Sequence, residues 1–206
     1  MAGIDSLESL LQDELKDIYD AEKQITKALP KMIKKAGAEE LRAAFEQHLQ
    51  QTEQQIERLE QAFDLLEMPA RGKKCLGMQN LIKEGQDMMA EAEDDDTRDA
   101  LMIAAAQKIE HYEIASYGTL RVWAALLGHD DVASLFEETL DEEKETDQHL
   151  TSIAESFVNQ AAADDEGEGE EAPRKMAKGR TQMRGTSGAA TRQQAADRGG
   201  RGRKGR

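Results

Sequence analysis

Four stretches of the chain repeat apolar residues at spacings of three and four, and every stretch is interrupted near its centre by polar residues. That spacing puts one side of an α-helix into a core, so each interruption places polar groups where hydrocarbon is expected. The first stripe reads Leu7, Leu11, Glu14, Ile18, Glu22, Ile25, Leu29, Met32. The second reads Leu41, Phe45, His48, Thr52, Ile56, Leu59, Phe63, Leu66. The third reads Ile103, Ala106, Glu110, Glu113, Tyr117, Leu120, Ala124, and the fourth Val132, Phe136, Leu140, Glu143, Asp147, Leu150, Ile153, Phe157.

Capping and breaker residues delimit the helices. Helix A is predicted over about residues 6–35, with Ser6 as N-cap and Glu8 in the first turn. Gly37 ends it, and Pro30 inside it predicts a kink or break near Leu29. Helix B spans about 39–67 and stops before Pro69; "PARGKKCLG" is a connection, and a shorter helix covers about 78–92. Helix C starts from Asp96 or Thr97 as cap and runs to Leu127. Gly128 closes it, Asp130 caps helix D, and helix D covers about 131–159. Short A–B and C–D loops make two antiparallel hairpins, and the long B–C connection joins them. The expected fold is all-α: a ferritin-like antiparallel four-helix bundle with an inserted helical segment in the single crossover.

Counting from the turns tests whether the polar interruptions share a level. Glu22 lies 15 residues before Gly37 and Thr52 lies 15 after it, so Glu22 faces the segment from His48 to Glu53. Glu113 and Glu143 stand in the same relation to Gly128, with Glu110 near Asp147. Both hairpins thus carry their polar residues at mid-height. Glu14 lies about two turns away and is read as a solvated edge residue, and Tyr19, Tyr112 and Tyr117 are read as packing residues. Buried carboxylates must be neutralised, paired with a cation or bound to metal. No Lys or Arg stands in the traced layer, while Lys108 and Lys144 more naturally point outward. Carboxylates with one imidazole suit a pair of iron or manganese ions, and suit zinc less well.

Charge and composition divide the chain. The net charge of −15 conceals a segment 161–206 with 11 basic against 7 acidic residues, which leaves residues 1–160 at −19. Residues 1–160 are expected to form the bundle domain, and 161–206 an acidic-then-basic tail. The part from residue 173 onward is rich in Gly and Arg and is expected to be disordered. Its charge offers contact with nucleic-acid phosphates, but it lacks the interleaved aromatics that stack on bases. The single cysteine, Cys75, excludes an internal disulfide. The acidic start lacks a signal peptide's basic and apolar regions, and no apolar run has a membrane span's length. A cytoplasmic protein is the expectation.

The segments "LLQDELKDIYDAEKQITKALPKM", "FEQHLQQTEQQIERLEQ", "AAAQKIEHYEIASYGTLRVWAALLG" and "LFEETLDEEKETDQHL" resemble the bacterial stress-response YciE/YciF proteins of the ferritin-like superfamily. The similarity covers about residues 5–159, and the helix C stretch is its most specific part. The resemblance implies a homodimer and a dinuclear iron-type centre, with Glu22 carried over from helix A and Glu110 or Glu113 from helix C. One departure stands out. Such centres usually place Glu-x-x-His on two helices. Here helix B offers His48 and Gln50-x-x-Glu53, and helix D offers Glu143-x-x-Thr146 with Asp147 and an off-phase His149. The expected metal ligands are therefore Glu22, His48, Glu53, Glu110, Glu113, Glu143 and Asp147. The expected activity is ferroxidase-like oxidation of Fe(II) by oxygen or peroxide, or catalase-like chemistry with manganese. The alternative is a non-catalytic protective protein whose site is vestigial.

Overall fold

Residues 4–168 are described by the computed structural model, and among them there are helices and no strand. The expected disordered tail from residue 173 lies outside the described residues. Helix α1 spans Leu7–Lys35, α2 Glu39–Leu65, α3 Leu76–Glu91, α4 Asp95–Leu126 and α5 Asp130–Ile153. A π-helical turn, Ala154–Val158, leads into α6, Asn159–Glu168, so ordered helix continues past the expected domain end at residue 160. Helices α1 and α2 form one hairpin and α4 and α5 the other. Contacts of α2 with α5 and of α1 with α4 close the ferritin-like four-helix bundle, while α3 in the crossover lies against α1 and α4. No helix is long and apolar enough to cross a membrane among the described residues.

Local chemistry explains most boundaries. Ser6 caps α1 by accepting from the Ser9 amide at 3.1 Å, and the Ser9 hydroxyl accepts from the Ser6 amide in return. Gly128 has φ +82°, the left-handed conformation that ends α4 without a Cβ penalty. Three expectations are corrected. Helix α1 continues through Pro30 without the break allowed for near Leu29; the proline is exposed, so the lost hydrogen bond falls on the solvent side. The cap of α4 is Asp94, whose Oδ1 accepts from the Thr97 amide at 2.6 Å. The cap position of α5 is His129, with Asp130 and Asp131 in the first turn.

Register between the hairpins is fixed by Asp99. Its buried carboxylate reaches from the second turn of α4 to the α1–α2 turn, accepting from the Gly37 amide at 2.9 Å and the Ala38 amide at 2.6 Å. A Cβ on Gly37 would stand 3.2 Å from Asp99 Oδ2. Choosing Asp94 among the acidic residues 94–96 as the cap therefore sets where Asp99 lands.

The crossover is stitched to α1 in the same manner. The Cys75 amide donates to Asp20 at 2.8 Å, Gln24 donates to the Cys75 carbonyl at 3.0 Å, and the Lys73 amide donates to the Lys16 carbonyl at 2.9 Å. The Cys75 thiol caps α3, lies 3.0 Å from the Tyr112 hydroxyl and is fully buried; burial pushes its pKa up to about 11. A Cβ on Gly77 would approach the Tyr112 ring to 2.8 Å, so only glycine lets α3 start this close to α4.

Replacing Asp99 with Ala leaves the two turn amides without their acceptor, and a loss of about 1–2 kcal/mol is expected. Asp99→Asn keeps one acceptor oxygen and should lose about half as much. Chemical denaturation of both variants reads the difference.

Candidate metal centre

The polar interruptions of the four stripes meet in one interior layer. Glu22 comes from α1, His48 from α2, Glu110 and Glu113 from α4, and Glu143 from α5; His48 is 5% exposed and the four carboxylates 1% or less. His48, Glu110, Glu113 and Glu143 each bring a ligand atom within 4.8 Å of those of the others. His48 Nδ1 lies 3.3 Å from Glu110 Oε1. Glu22 completes the layer, with its charge acting on Glu113 and Glu110, that of Glu143 acting on it, and its Oε1 accepting from the buried Tyr117 hydroxyl.

Helical phase accounts for the convergence. Glu110, Glu113 and Tyr117 are spaced three and four residues apart, and His48, Thr52, Gln55 and Leu59 follow the same rule on α2. Two expected ligands do not join the layer. Glu53 is exposed, one residue beyond buried Thr52 and hence about 100° around the helix. Asp147 lies one turn from Glu143 with its side chain 23% exposed, and it accepts from Gln107 at 3.1 Å beside His111. His149 is exposed, in keeping with its phase, and Glu14 is half-buried at the edge beside Ser116.

Two features of the site were missed. Gln55, 2% exposed, takes the place read as Ile56 and donates to Glu142 at 3.1 Å. Arg58 binds Glu142 through both terminal nitrogens at 2.6 Å and Glu138 at 2.9 Å. The signal for Gln55 was present, because seven residues separate it from His48 as they separate Thr52 from Leu59. Arg58 carried no such signal, since an arginine beside a stripe reads as a solvated edge.

Six carboxylate oxygens of the layer have no hydrogen-bond partner: one each on Glu22 and Glu110, and both on Glu113 and Glu143. Among the described residues no lysine or arginine forms an ion pair with these four. Burial, then the charge of Glu143, raises Glu22 to about 8, and burial raises Glu143 to about 7. Glu110 and Glu113 lie well above the usual carboxylate range, through burial and then the charges of their neighbours. Without a cation, shared protons are the remaining way to relieve these oxygens, with Glu113 facing Glu22 and Glu110 facing Glu143. Burial lowers His48 to about 4, so its imidazole is neutral and has a lone pair free for a ligand bond. Hard oxygens, one neutral nitrogen and no internal cation are a donor set that fits a divalent metal.

Comparison with known proteins agrees with this architecture. The family model described as a domain of unknown function, DUF892, matches residues 6–163. Protein YciF of Escherichia coli K12 is 44% identical over 158 residues, covering 76% of this chain and 95% of YciF. The crystal structure of that stress protein superimposes with a TM-score of 0.73, covering 76% of this chain and 99% of that one. YcfI from Rhodopseudomonas palustris, 46% identical, superimposes with a TM-score of 0.71 over 72% of this chain and 94% of its own. With most of its helical region matched, the chain belongs to the DUF892 family, as its resemblance to the YciE/YciF proteins implied.

Proposed function

We propose that the layer holds two iron ions, with manganese as the alternative, and that the chain oxidises Fe(II) with oxygen or peroxide as a ferroxidase-like stress-protection protein. The observation that carries this reading is the set of six unpartnered buried carboxylate oxygens beside a neutral imidazole. Glu22, His48, Glu110, Glu113 and Glu143 are the residues that would hold the metal; Glu53 and Asp147 are not. Bound iron supplies one-electron redox chemistry, and hard anionic ligands favour its ferric form.

The chain's own groups have distinct parts. Glu110 and Glu113 release their protons when a cation takes their place. Tyr117, whose pKa is held well above the ordinary phenol value by burial and then by Glu22, stays protonated and fixes Glu22 as a donor. Above and below the layer, Phe45, Leu29, Phe136 and Leu140 exclude water. Arg58 reaches Glu142 rather than Glu143, which keeps the nearest guanidinium from neutralising the layer.

Anaerobic loading followed by exposure to air tests the reading. Elemental analysis should find about two irons per chain, and ferric absorption should grow on admitting oxygen. A chain that retains no iron after loading rejects it. Glu113→Gln with Glu143→Gln should abolish retention without loss of helicity. Metal uptake near neutral pH should release about two protons, read as a buffer-dependent heat in calorimetry.

Thermal stability gives a second check. The raised carboxylates stabilise the metal-free fold fully below their ordinary value of 4.5, and that contribution is lost as pH rises through about 7 for Glu143 and about 8 for Glu22. His48 acts in the opposite sense, but only between about 4 and 6.5. The metal-free protein should therefore melt higher at pH 6.5 than at pH 8.5, and added metal should offset the loss. A melting temperature that rises over this interval contradicts the assignment.

The structural role suggested for the R. palustris relative YcfI favours a second reading, in which the layer is vestigial and the protein protects without catalysis. Relief of repulsion makes Glu113→Ala stabilising in the metal-free state under both readings. Only the vestigial reading expects the unsubstituted protein to melt at the same temperature with and without Fe(II) or Mn(II).

A further inference from the structure

Two adjoining cavities lead from the surface to the acidic layer on the side where α3 covers the seam between α1 and α4. The inner one has a volume of about 20 Å³, is walled by Ile25, Leu29, Phe45 and Ala106, and ends on His48 and Glu110. The outer one, of about 30 Å³, lies among Leu81, Ile82, Gly85 and Met89 of α3 and Ala105 of α4. It opens beside the exposed Lys31 and Gln86. Ala28, Met32 and Ile109 line both, so these three side chains form the partition between them.

The passage discriminates by chemistry. Its walls are hydrocarbon and thioether until His48 and Glu110 are reached. A hydrated cation entering this apolar stretch would lose its water with nothing to replace it, and a water molecule there, short of His48 and Glu110, would lack the two to four polar partners it needs. Dry apolar cavities instead take up small uncharged apolar molecules such as xenon. Small residues line the seam: Ala28, Ala105 and Ala106 leave space there, and Gly85 lets α3 approach α4 closely, since a Cβ on it would lie 3.0 Å from the Ala105 Cβ. Met32, flexible at three torsions, is the element of the partition best able to swing aside.

We infer that this seam is a binding site and entry route for a small apolar gas of the dioxygen class, delivered to the His48–Glu110 edge of the layer. Its destination rests on the metal reading given above. An apolar lining of this kind disfavours entry of a hydrated cation along the same seam.

Xenon under pressure on crystals of the metal-free full chain provides the test, and it involves no iron. The unsubstituted protein should show xenon in the inner cavity. Ala28→Leu should displace it, and Met32→Ala, which removes bulk from the partition, should increase its occupancy. In the iron-loaded protein Ala28→Leu should leave Fe(II) stoichiometry unchanged while slowing oxidation by dioxygen roughly tenfold, with iron oxidised and dioxygen reduced as before. Absence of xenon from both the unsubstituted chain and Met32→Ala overturns the route, whether or not Ala28→Leu folds. So does an Ala28→Leu protein that has lost xenon but oxidises at the unsubstituted rate. A chain that takes up xenon but binds no Fe(II) instead overturns the metal reading and the route's destination, which distinguishes the two failures.

Discussion

Mutual repulsion among four buried carboxylates sets the terms for this bundle. Burying one unpaired charge costs several kcal/mol, and four carboxylates converging on one layer cannot all ionise in a metal-free interior. The layer is held together by protons or by a cation, and its helices must be strong enough elsewhere to keep the acids in place. That strength comes from the apolar ends of each stripe, where Leu11, Leu15, Phe45, Phe63 and Ile103 are almost wholly buried. It comes also from polar contacts at the periphery, of which the Asp99 clasp on the α1–α2 turn and the Arg58–Glu142 pair between α2 and α5 are the clearest.

The position of Arg58 shows how the charge is kept uncompensated. A guanidinium on α2 beside Glu143 would satisfy the layer outright. Instead it spends both terminal nitrogens on the half-buried Glu142 and the exposed Glu138 of α5. Gln55, whose amide also donates to Glu142, lies between that half-buried pair and the interior. The charge of Glu142 outweighs that of Arg58 at Glu143, so the pair leaves the layer's oxygens neither neutralised nor occupied.

The fold and the height of the polar layer were legible in the sequence, because heptad-like spacing and the turn glycines at 37 and 128 are local signals that tertiary packing had no reason to override. Five of the seven expected ligands converge on the layer for the same reason. Glu53 was admitted through a motif rather than its helical phase, and phase prevailed. Asp147 had the right phase, but one further turn brought it to the solvated edge beside Gln107. The cap of α4 was ambiguous because three consecutive aspartates are chemically equal, and the choice among them is made by a contact 61 residues away. Long-range pairings of that kind, like the stitching of the crossover onto α1, leave no periodic trace.

That stitching has a consequence for a protein expected to live with oxidants. The one thiol in the chain is that of Cys75. Its sidechain is sealed beneath the start of α3, held by Tyr112 and the Met78 amide, with its pKa raised to about 11. Peroxide attacks the thiolate, and at neutral pH almost none of that form exists here. The anchor that pins the crossover is therefore also a poor target for sulfenylation, since burial and a raised pKa act together at its one cysteine.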